Sequence, residues 1–353
     1  MAQADSFTER LLAWFDAHGR HDLPWQTPRT PYRVWLSEIM LQQTQVATVI
    51  PYFLRFVEKF ASIGELAAAP LDDVLAAWSG LGYYSRARNL HKAATMCVER
   101  FGGELPREFD ALSELPGIGR STAGAILAQA HGARFAILDG NVKRVLSRYH
   151  GVRGWPGSTA VQKKLWEFAE SHTPHERVVD YTQAIMDLGA TVCTRARPRC
   201  AQCPLANDCV AHIEGLTAQL PESKPARALP TRETMMLIVR DASGRLLLQR
   251  RPPVGVWAQL WSLPEAADIE SATSNVSTIA SRRSDITFRH LPRFTHTFSH
   301  YRLDITPITC DVERATRIAD APDNRWLLPE EAAQLGLPAP VRKLIEEFAR
   351  EIR

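Results

Sequence analysis

Long apolar runs are missing from this sequence, and no stretch approaches the roughly 20 residues that a membrane span requires. The opening segment MAQADSFTERLLAWFDAHG carries acids early and has no apolar block of the secretory kind, so a cytoplasmic protein is expected. Cysteine is sparse: six in 353 residues exclude a disulfide-built scaffold and make their placement more informative than their number. Charge of one sign is not in large excess. A net charge of +3 permits nucleic acid binding without demanding it, so any basic footprint must be local. Internal repeats and low-complexity tracts are absent as well. What remains, 45% hydrophobic and 23% charged, is ordinary for a globular chain whose length favours two domains.

One stretch organises the rest: LPGIGRSTAGAILAQAHGARFAILDGNVKR, Leu115 to Arg144. Pro116 forbids a continuing helix, while Gly117 and Gly119 can take positive φ and let another backbone approach. Exposed amides in such a turn, at the N-terminus of the next helix, suit a phosphate. The small-residue helix that follows gives way to Asp139-Gly140-Asn141-Val142-Lys143-Arg144. An acid soon after a phosphate-holding turn points to chemistry on a nucleic acid backbone or sugar. By itself Asp139 also reads as the N-cap of the helix beginning near Asn141 or Val142.

Ser6-Phe7-Thr8-Glu9 has capping-box spacing ahead of Leu11, Leu12, Trp14 and Phe15, which predicts a helix over 6–18. Helical patterns follow in YRVWLSEIMLQQT and in TQVATVIPYFLRFVEKF, with Pro51 inside the second. Others cover Leu71–Trp78, Ser85–Phe101, Ser121–Ala130, Val142–Tyr149, Thr159–Ser171 and Glu176–Leu188. Residues 215–232 hold three prolines and several charges and read as a linker. Beyond it, Glu233–Arg240 and Arg245–Arg250 predict strands joined through Asp241-Ala242-Ser243-Gly244. Phe294–Phe298 and Tyr301–Cys310 predict two more strands, and Val341–Ile352 a closing helix. The expected architecture is a multidomain chain, an all-α domain over 1–214, the linker 215–232, and an α+β domain over 233–353.

Four cysteines, Cys193, Cys200, Cys203 and Cys209, fall within the loop 193–209, separated by six, two and five residues. Clustered thiols of this kind bind metal, and both zinc and a [4Fe–4S] cluster are held by four thiolates. Spacing alone does not choose between them. Cys97 and Cys310 lie apart from the group and read as buried or incidental. Arg195, Arg197 and Arg199 read either as a solvated basic loop or as phosphate contacts.

Turn, acid and cysteine loop together resemble the helix-hairpin-helix DNA glycosylases of the endonuclease III superfamily. Trp35-Leu36-Ser37-Glu38-Ile39-Met40-Leu41-Gln42-Gln43-Thr44, the run from Gly80 to Leu90 (GLGYYSRARNL), and Asp139-Gly140-Asn141-Val142 narrow the resemblance to the MutY-type adenine DNA glycosylases. It spans nearly the whole chain. The resemblance implies one [4Fe–4S] cluster on the four cysteines, a Nudix-like C-terminal domain that recognises the lesion, and a monomer acting on duplex DNA. The implied substrate is adenine opposite 8-oxoguanine or G.

Adenine leaves deoxyribose only once a ring nitrogen is protonated, and the sugar then becomes oxocarbenium-like, so an acid and a negative charge are both needed. By resemblance Glu38 protonates the base at N7, and Asp139, with Asn141 beside it, stabilises C1′. Neighbours Trp35, Ile39 and Met40 are expected to bury Glu38 partly and raise its pKa. Base flipping leaves a gap in the stack. The resemblance places Gln43 and Tyr83 in that gap, Thr44 and Leu81 beside the opposite base, and Trp25 and Gln183 with Ser121 in the adenine pocket. It places Phe298, Ser299 and His300 on the 8-oxoguanine. The turn of Gly117 and Gly119 is expected on a DNA phosphate through its amides, and Lys143 reads as a phosphate contact or surface lysine near enough to Asp139 in sequence to trap an abasic sugar. Ser121 stands where bifunctional relatives carry the lysine that forms a Schiff base, which predicts base removal without strand cutting. The C-terminal domain lacks the glycine and the Glu-rich helix of an active Nudix hydrolase between Trp261 and His290. The competing readings are an endonuclease III-like glycosylase/lyase and a non-catalytic DNA-binding scaffold with a structural metal.

Overall fold

The computed structural model describes residues 6–225, 228–279, 286–312 and 323–351. The helices are α1 (Ser6–His18), α2 (Pro31–Leu41), α3 (Val46–Lys59), α4 (Ile63–Ala68), α5 (Leu71–Ala77), α6 (Ser85–Phe101), α7 (Phe109–Ser113), α8 (Arg120–His131), α9 (Gly140–Tyr149), α10 (Thr159–His172), α11 (Val178–Asp187) and α12 (Val210–Ile213). A π-helical turn, Leu188–Val192, continues α11. After the linker come strands β1 (Thr231–Asp241), β2 (Leu246–Arg250), β3 (Trp261–Ser262), β4 (Glu265–Ala266), β5 (Arg289–His290), β6 (Phe294–Thr297), β7 (Arg302–Val312) and β8 (Asn324–Leu327). Helices α13 (Ile269–Ile279), α14 (Pro329–Ala332) and α15 (Ala339–Glu351) complete the chain. Contacts divide it into two units, Met1–Ala68 with Asn89–Ala226, and Ala69–Arg88 with Arg227–Arg353.

The first unit is helical. Its core joins Phe7 and Leu11 of α1 to Val145 and Leu146 of α9, Leu165 of α10, and Tyr181 and Ile185 of α11. Helix α2 starts where sequence chemistry says it should. Thr30 accepts the Arg33 amide through its hydroxyl and Pro31 fills the first position, where no N–H is needed. Helix α3 continues through Pro51, whose ring lies on the exposed side and which leaves the carbonyl four residues back without its helical donor. Among the described residues no helix is long and apolar enough to cross a membrane.

In the second unit β1 lies at the centre of the sheet, antiparallel to β2 and parallel to β7 from Thr231↔Arg302 to Asp241↔Val312. Both faces of β1 are covered, which is why its sequence is a continuous apolar run rather than an alternating one. Met236 and Ile238 meet Val341, Leu344, Ile345 and Phe348 of α15 on one face, while Leu237 and Val239 meet Ala272 and Val276 of α13 on the other. The turn from β1 to β2 forms as expected: Asp241 accepts the Ser243 and Arg245 amides at 2.9 Å, and Gly244 takes φ 80°. Helices α4, α7, α12, α13 and α14 are not predicted by the sequence pattern. Four are short, and α13 is rich in Ser and Thr, whose side chains compete for backbone bonds and hide a helical period. The expected end of the closing helix, Ile352, lies outside the described residues, as do 226–227 of the linker and 280–285 and 313–322 of the C-terminal domain.

Chain order does not display the grouping of α5 and the following turn with the C-terminal segment. Asp72 accepts both arms of the Arg250 fork at 2.7 and 2.8 Å, and the indole of Trp261 donates to it at 3.4 Å. Tyr84 donates its hydroxyl to Leu337 O at 2.8 Å, and Arg342 donates to Ser79 Oγ at 2.8 Å. Burial works against the Asp72 charge, but the Arg250 and Trp261 bonds and the Arg325 charge win and hold its pKa below the usual value. Asp72→Ala leaves the partly buried Arg250 with only the looser Asp323 pair at 3.6 Å and is expected to cost the second unit about 2 kcal/mol. The check is a lower urea midpoint at unchanged slope; an unmoved midpoint contradicts the role given to Asp72.

Candidate active site

Glu38 projects from α2 between buried neighbours Trp35, Ser37, Ile39 and Met40. Its carboxyl is partly buried and accepts a bond at Oε1 from Gln129 Nε2 of α8 at 3.1 Å. Burial, with the nearby Asp139 charge second, pushes its pKa up to about 8. A neutral carboxyl can accept from Gln129 and still has its O–H to donate.

Asp139 is the N-cap of α9. Its Oδ1 accepts the Val142 amide at 2.7 Å, and Asn141 Nδ2 reaches Oδ2 at 3.4 Å. Burial raises its pKa, while the Val142 and Asn141 amides, the Arg144 charge and the Asn141 side chain oppose that shift. Arg144 anchors Asn141 through Oδ1 at 2.7 Å and also donates to Gly189 O and Cys193 O, each at 2.7 Å. Capping and placement at the site therefore coexist in one side chain.

Two features of α8 deliver Asp139. A Cβ on Gly124 would lie 2.6 Å from Ala136 O, so only glycine lets the segment before Asp139 lie against the helix. Ser121 Oγ accepts the Leu138 amide at 2.9 Å, one residue before the acid. The serine hydroxyl is thus engaged in holding backbone. Trp25, 3% exposed, is packed edge-on to Phe53, and Gln183, on α11, donates Nε2 to Asp187 Oδ1 at 2.7 Å. Helix α11 packs on both α8 and α9.

Two of the expected DNA-contacting residues share a backbone signature that sequence does not reveal. Gln43 is exposed with φ 60°, and Tyr83 is 52% exposed with φ 48°; both are left-handed without being glycine, a strained state typical of functional positions. Arg86, 6% exposed, supports the Tyr83 turn by donating to Leu81 O at 3.3 Å and Gly82 O at 3.1 Å, with its guanidinium 5.5 Å from the Tyr83 ring. Leu81 is buried, and the Thr44 amide closes the end of α2 on Leu41 O at 3.2 Å. Gly117 takes φ 83° as expected, but Gly119 does not need positive φ: it is the extended N-cap of α8 at φ −95° and makes no side-chain cap. Lys143 is partly exposed in the first turn of α9. Phe298 follows β6, stacks on Tyr301 at 4.6 Å and touches the Trp257 and His296 rings, leaving Ser299 and His300 exposed.

Cys193, Cys200, Cys203 and Cys209 line one cavity of about 20 Å³, and none is in a disulfide. Among the described residues no three donors converge tightly enough for a single ion. Arg148, 3% exposed, donates to Cys193 Sγ at 3.3 Å, Thr194 O at 2.8 Å and Arg195 O at 3.0 Å. Arg195, Arg197 and Arg199 are exposed, and Cys97 and Cys310 are buried. Sequence reasoning missed Gln129, Arg86, Arg144, Arg148 and Asp187. The arginine pair at i, i+4 on α9 was a signal, since a polar repeat that reaches the buried side of a helix needs partners.

A family model for the HhH-GPD superfamily of base excision DNA repair proteins matches residues 36–171, and one for the NUDIX domain matches 234–347. Adenine DNA glycosylase of Buchnera aphidicola subsp. Acyrthosiphon pisum (strain APS) is 38% identical over 348 residues, covering 98% of each chain. The chain belongs to the adenine DNA glycosylase family. The human adenine DNA glycosylase is 35% identical, covering 99% of this chain and 75% of its own. Among solved structures, a thermostable thymine-DNA glycosylase superposes with TM-score 0.54 at 28% identity, over 59% of this chain and 95% of that one. A non-covalent endonuclease III–DNA complex gives 0.51 at 25% identity, over 60% and 95%. Membership makes this a DNA base-excision enzyme of helix-hairpin-helix and Nudix construction.

The raised pKa of Glu38 has a consequence for stability that needs no substrate. Its folded value lies near 8 against about 4.3 in an unfolded chain, so the folded state binds this proton more tightly. That contribution is complete below about pH 4 and is lost as pH rises through about 8. Glu38→Gln does not titrate, so its Tm relative to the parent is expected to climb between those limits. A pH-independent difference contradicts the shift.

Proposed function

We propose that this adenine DNA glycosylase hydrolyses the N-glycosidic bond of adenine opposite 8-oxoguanine or G in duplex DNA. The arrangement that carries the reading is Glu38, bonded by Gln129 among apolar neighbours, near enough to the capped Asp139 for that charge to add to burial in raising its pKa to about 8. The flipped adenine takes its proton at N7 from Glu38, which turns the base into a neutral leaving group. Asp139, held by the Val142 amide and Asn141, faces the positive charge that grows at C1′. Water completes the sugar, since Ser121 has no amine to form a Schiff base. Trp25 and Gln183 hold the adenine. Gln43 and Tyr83 fill the stack, with Thr44 and Leu81 by the opposite base and Gly117, Gly119 and Lys143 on phosphates.

The cysteine loop would hold one [4Fe–4S] cluster on Cys193, Cys200, Cys203 and Cys209: the four thiols, none in a disulfide, line one cavity, and Arg148 donates to the Cys193 sulfur. When bound, it would keep the loop rigid for its exposed arginines to meet phosphates. In the proposed division, 1–214 does the chemistry, 215–232 links, and 233–353 reads the lesion through Phe298, Ser299 and His300. The protein works as a monomer in the cytoplasm, on the nucleoid.

Single-turnover base release from duplexes with A opposite 8-oxoguanine, G or T tests the reading. Release is expected opposite 8-oxoguanine and G, with Glu38→Gln and Asp139→Asn each slowing it by about 10² or more. Unchanged release in either variant removes that acid from the mechanism, and strand nicking without added base makes the enzyme a lyase. A chain ending near Pro225 is expected to lose preference for 8-oxoguanine. Equal preference removes the role given to Phe298, Ser299 and His300.

A further inference from the structure

Asp187 is among the most buried charged groups of the first unit, 1% exposed, yet nothing in the chemistry above employs it. Both of its oxygens are occupied. Oδ2 accepts the Arg20 amide at 2.7 Å, and Oδ1 accepts Arg20 Nε at 2.9 Å, Arg20 Nη2 at 2.5 Å and Gln183 Nε2 at 2.7 Å. A carboxylate clasped by a guanidinium only accepts hydrogen bonds, so the end of the Gln183 amide that meets it must be the NH₂ group. The amide is planar and rigid, and the opposite end is therefore its carbonyl oxygen. That atom, Gln183 Oε1, is buried and has no hydrogen-bond partner among the described residues. A buried acceptor of this kind is costly unless a donor arrives to meet it.

We propose that Asp187 is a positioning residue that sets base specificity, by locking the Gln183 amide so that it offers an acceptor to the flipped base. The idea rests on the reading that Gln183 faces the adenine. An acceptor fixed there recognises the exocyclic 6-amino group, which is a donor. A purine without that group leaves Oε1 unsatisfied and is discriminated against. Arg20 belongs to the same device. It neutralises Asp187 and fixes the loop that carries Trp25, because Gln26 Nε2 donates to Arg20 O at 3.0 Å and Gln26 Oε1 accepts the Leu23 amide at 3.0 Å. Free rotation of the amide would present NH₂ or C=O with similar ease and erase the distinction.

The test compares single-turnover release of adenine with release of unsubstituted purine, each opposite 8-oxoguanine, in the full-length protein. In Asp187→Asn the introduced amide can donate as well as accept, so Gln183 is free to flip. Adenine release is expected to fall about tenfold or more, purine release by less than about threefold, and the adenine-to-purine ratio to shrink accordingly. Gln183→Leu keeps the Arg20–Asp187 pair intact and is expected to shrink the ratio as well, which covers the case in which Asp187→Asn does not fold. A parallel loss on both bases in Asp187→Asn, or an unchanged ratio in Gln183→Leu, overturns the proposal while leaving the glycosylase reading in place. A parent enzyme that releases neither base overturns both.

Discussion

Two carboxyl groups brought close together in a partly dry site cannot both be charged cheaply, and the rest of this structure follows from how that conflict is settled. Glu38 receives one neutral amide, from Gln129, while Asp139 receives a backbone amide, the Asn141 side chain and the field of Arg144. The richer set of donors favours charge on Asp139 and leaves the proton on Glu38. Catalysis of base release needs that division, a donor for the base on one side and negative charge for the sugar on the other.

Helix α8 acts as the common ruler. Ser121 near its start holds the backbone at Leu138, Gly124 one turn later admits Ala136, and Gln129 near its end reaches Glu38. Its Ala- and Gly-rich sequence is what permits that closeness. Arginines do the remaining fixing, because a guanidinium can satisfy several carbonyl oxygens at once from a buried position. Arg144 and Arg148 tie α9 to the cysteine loop, so the helix capped by Asp139 and the thiols at its far side form one body. Arg86 plays the same part beneath the Tyr83 turn, and Arg20 does so at Asp187.

Much of this was legible in the sequence where the information is local. The period of α1 and α6, the extended apolar run of β1 and the turn at Asp241 are patterns of neighbours, and the N-cap role of Asp139 follows from the helix just beyond it. Resemblance supplied the pairing of Glu38 with Asp139, which spacing could not. Long-range partnerships stayed hidden: Gln129 lies 91 residues from Glu38, and Asp187 lies 167 from Arg20. A polar residue in an apolar helix says that it needs a partner, but not which one. Backbone strain at Gln43 and Tyr83 is also invisible in a string of letters, as neither residue type implies a left-handed φ. Gly119 taught the converse, since a glycine in a glycine-rich turn turned out to be extended. The alliance of α5 with the C-terminal strands rests on Asp72 and Arg250, 178 residues apart.

The central claim is that Glu38 keeps its proton at neutral pH, and the direct way to see that proton is the carboxyl carbon itself. In protein labelled with ¹³C at the glutamate side-chain carboxyl, the resonance missing from Glu38→Gln belongs to Glu38. Its chemical shift is predicted to titrate with a midpoint near 8. A midpoint near the ordinary value of about 4.3 would contradict the account.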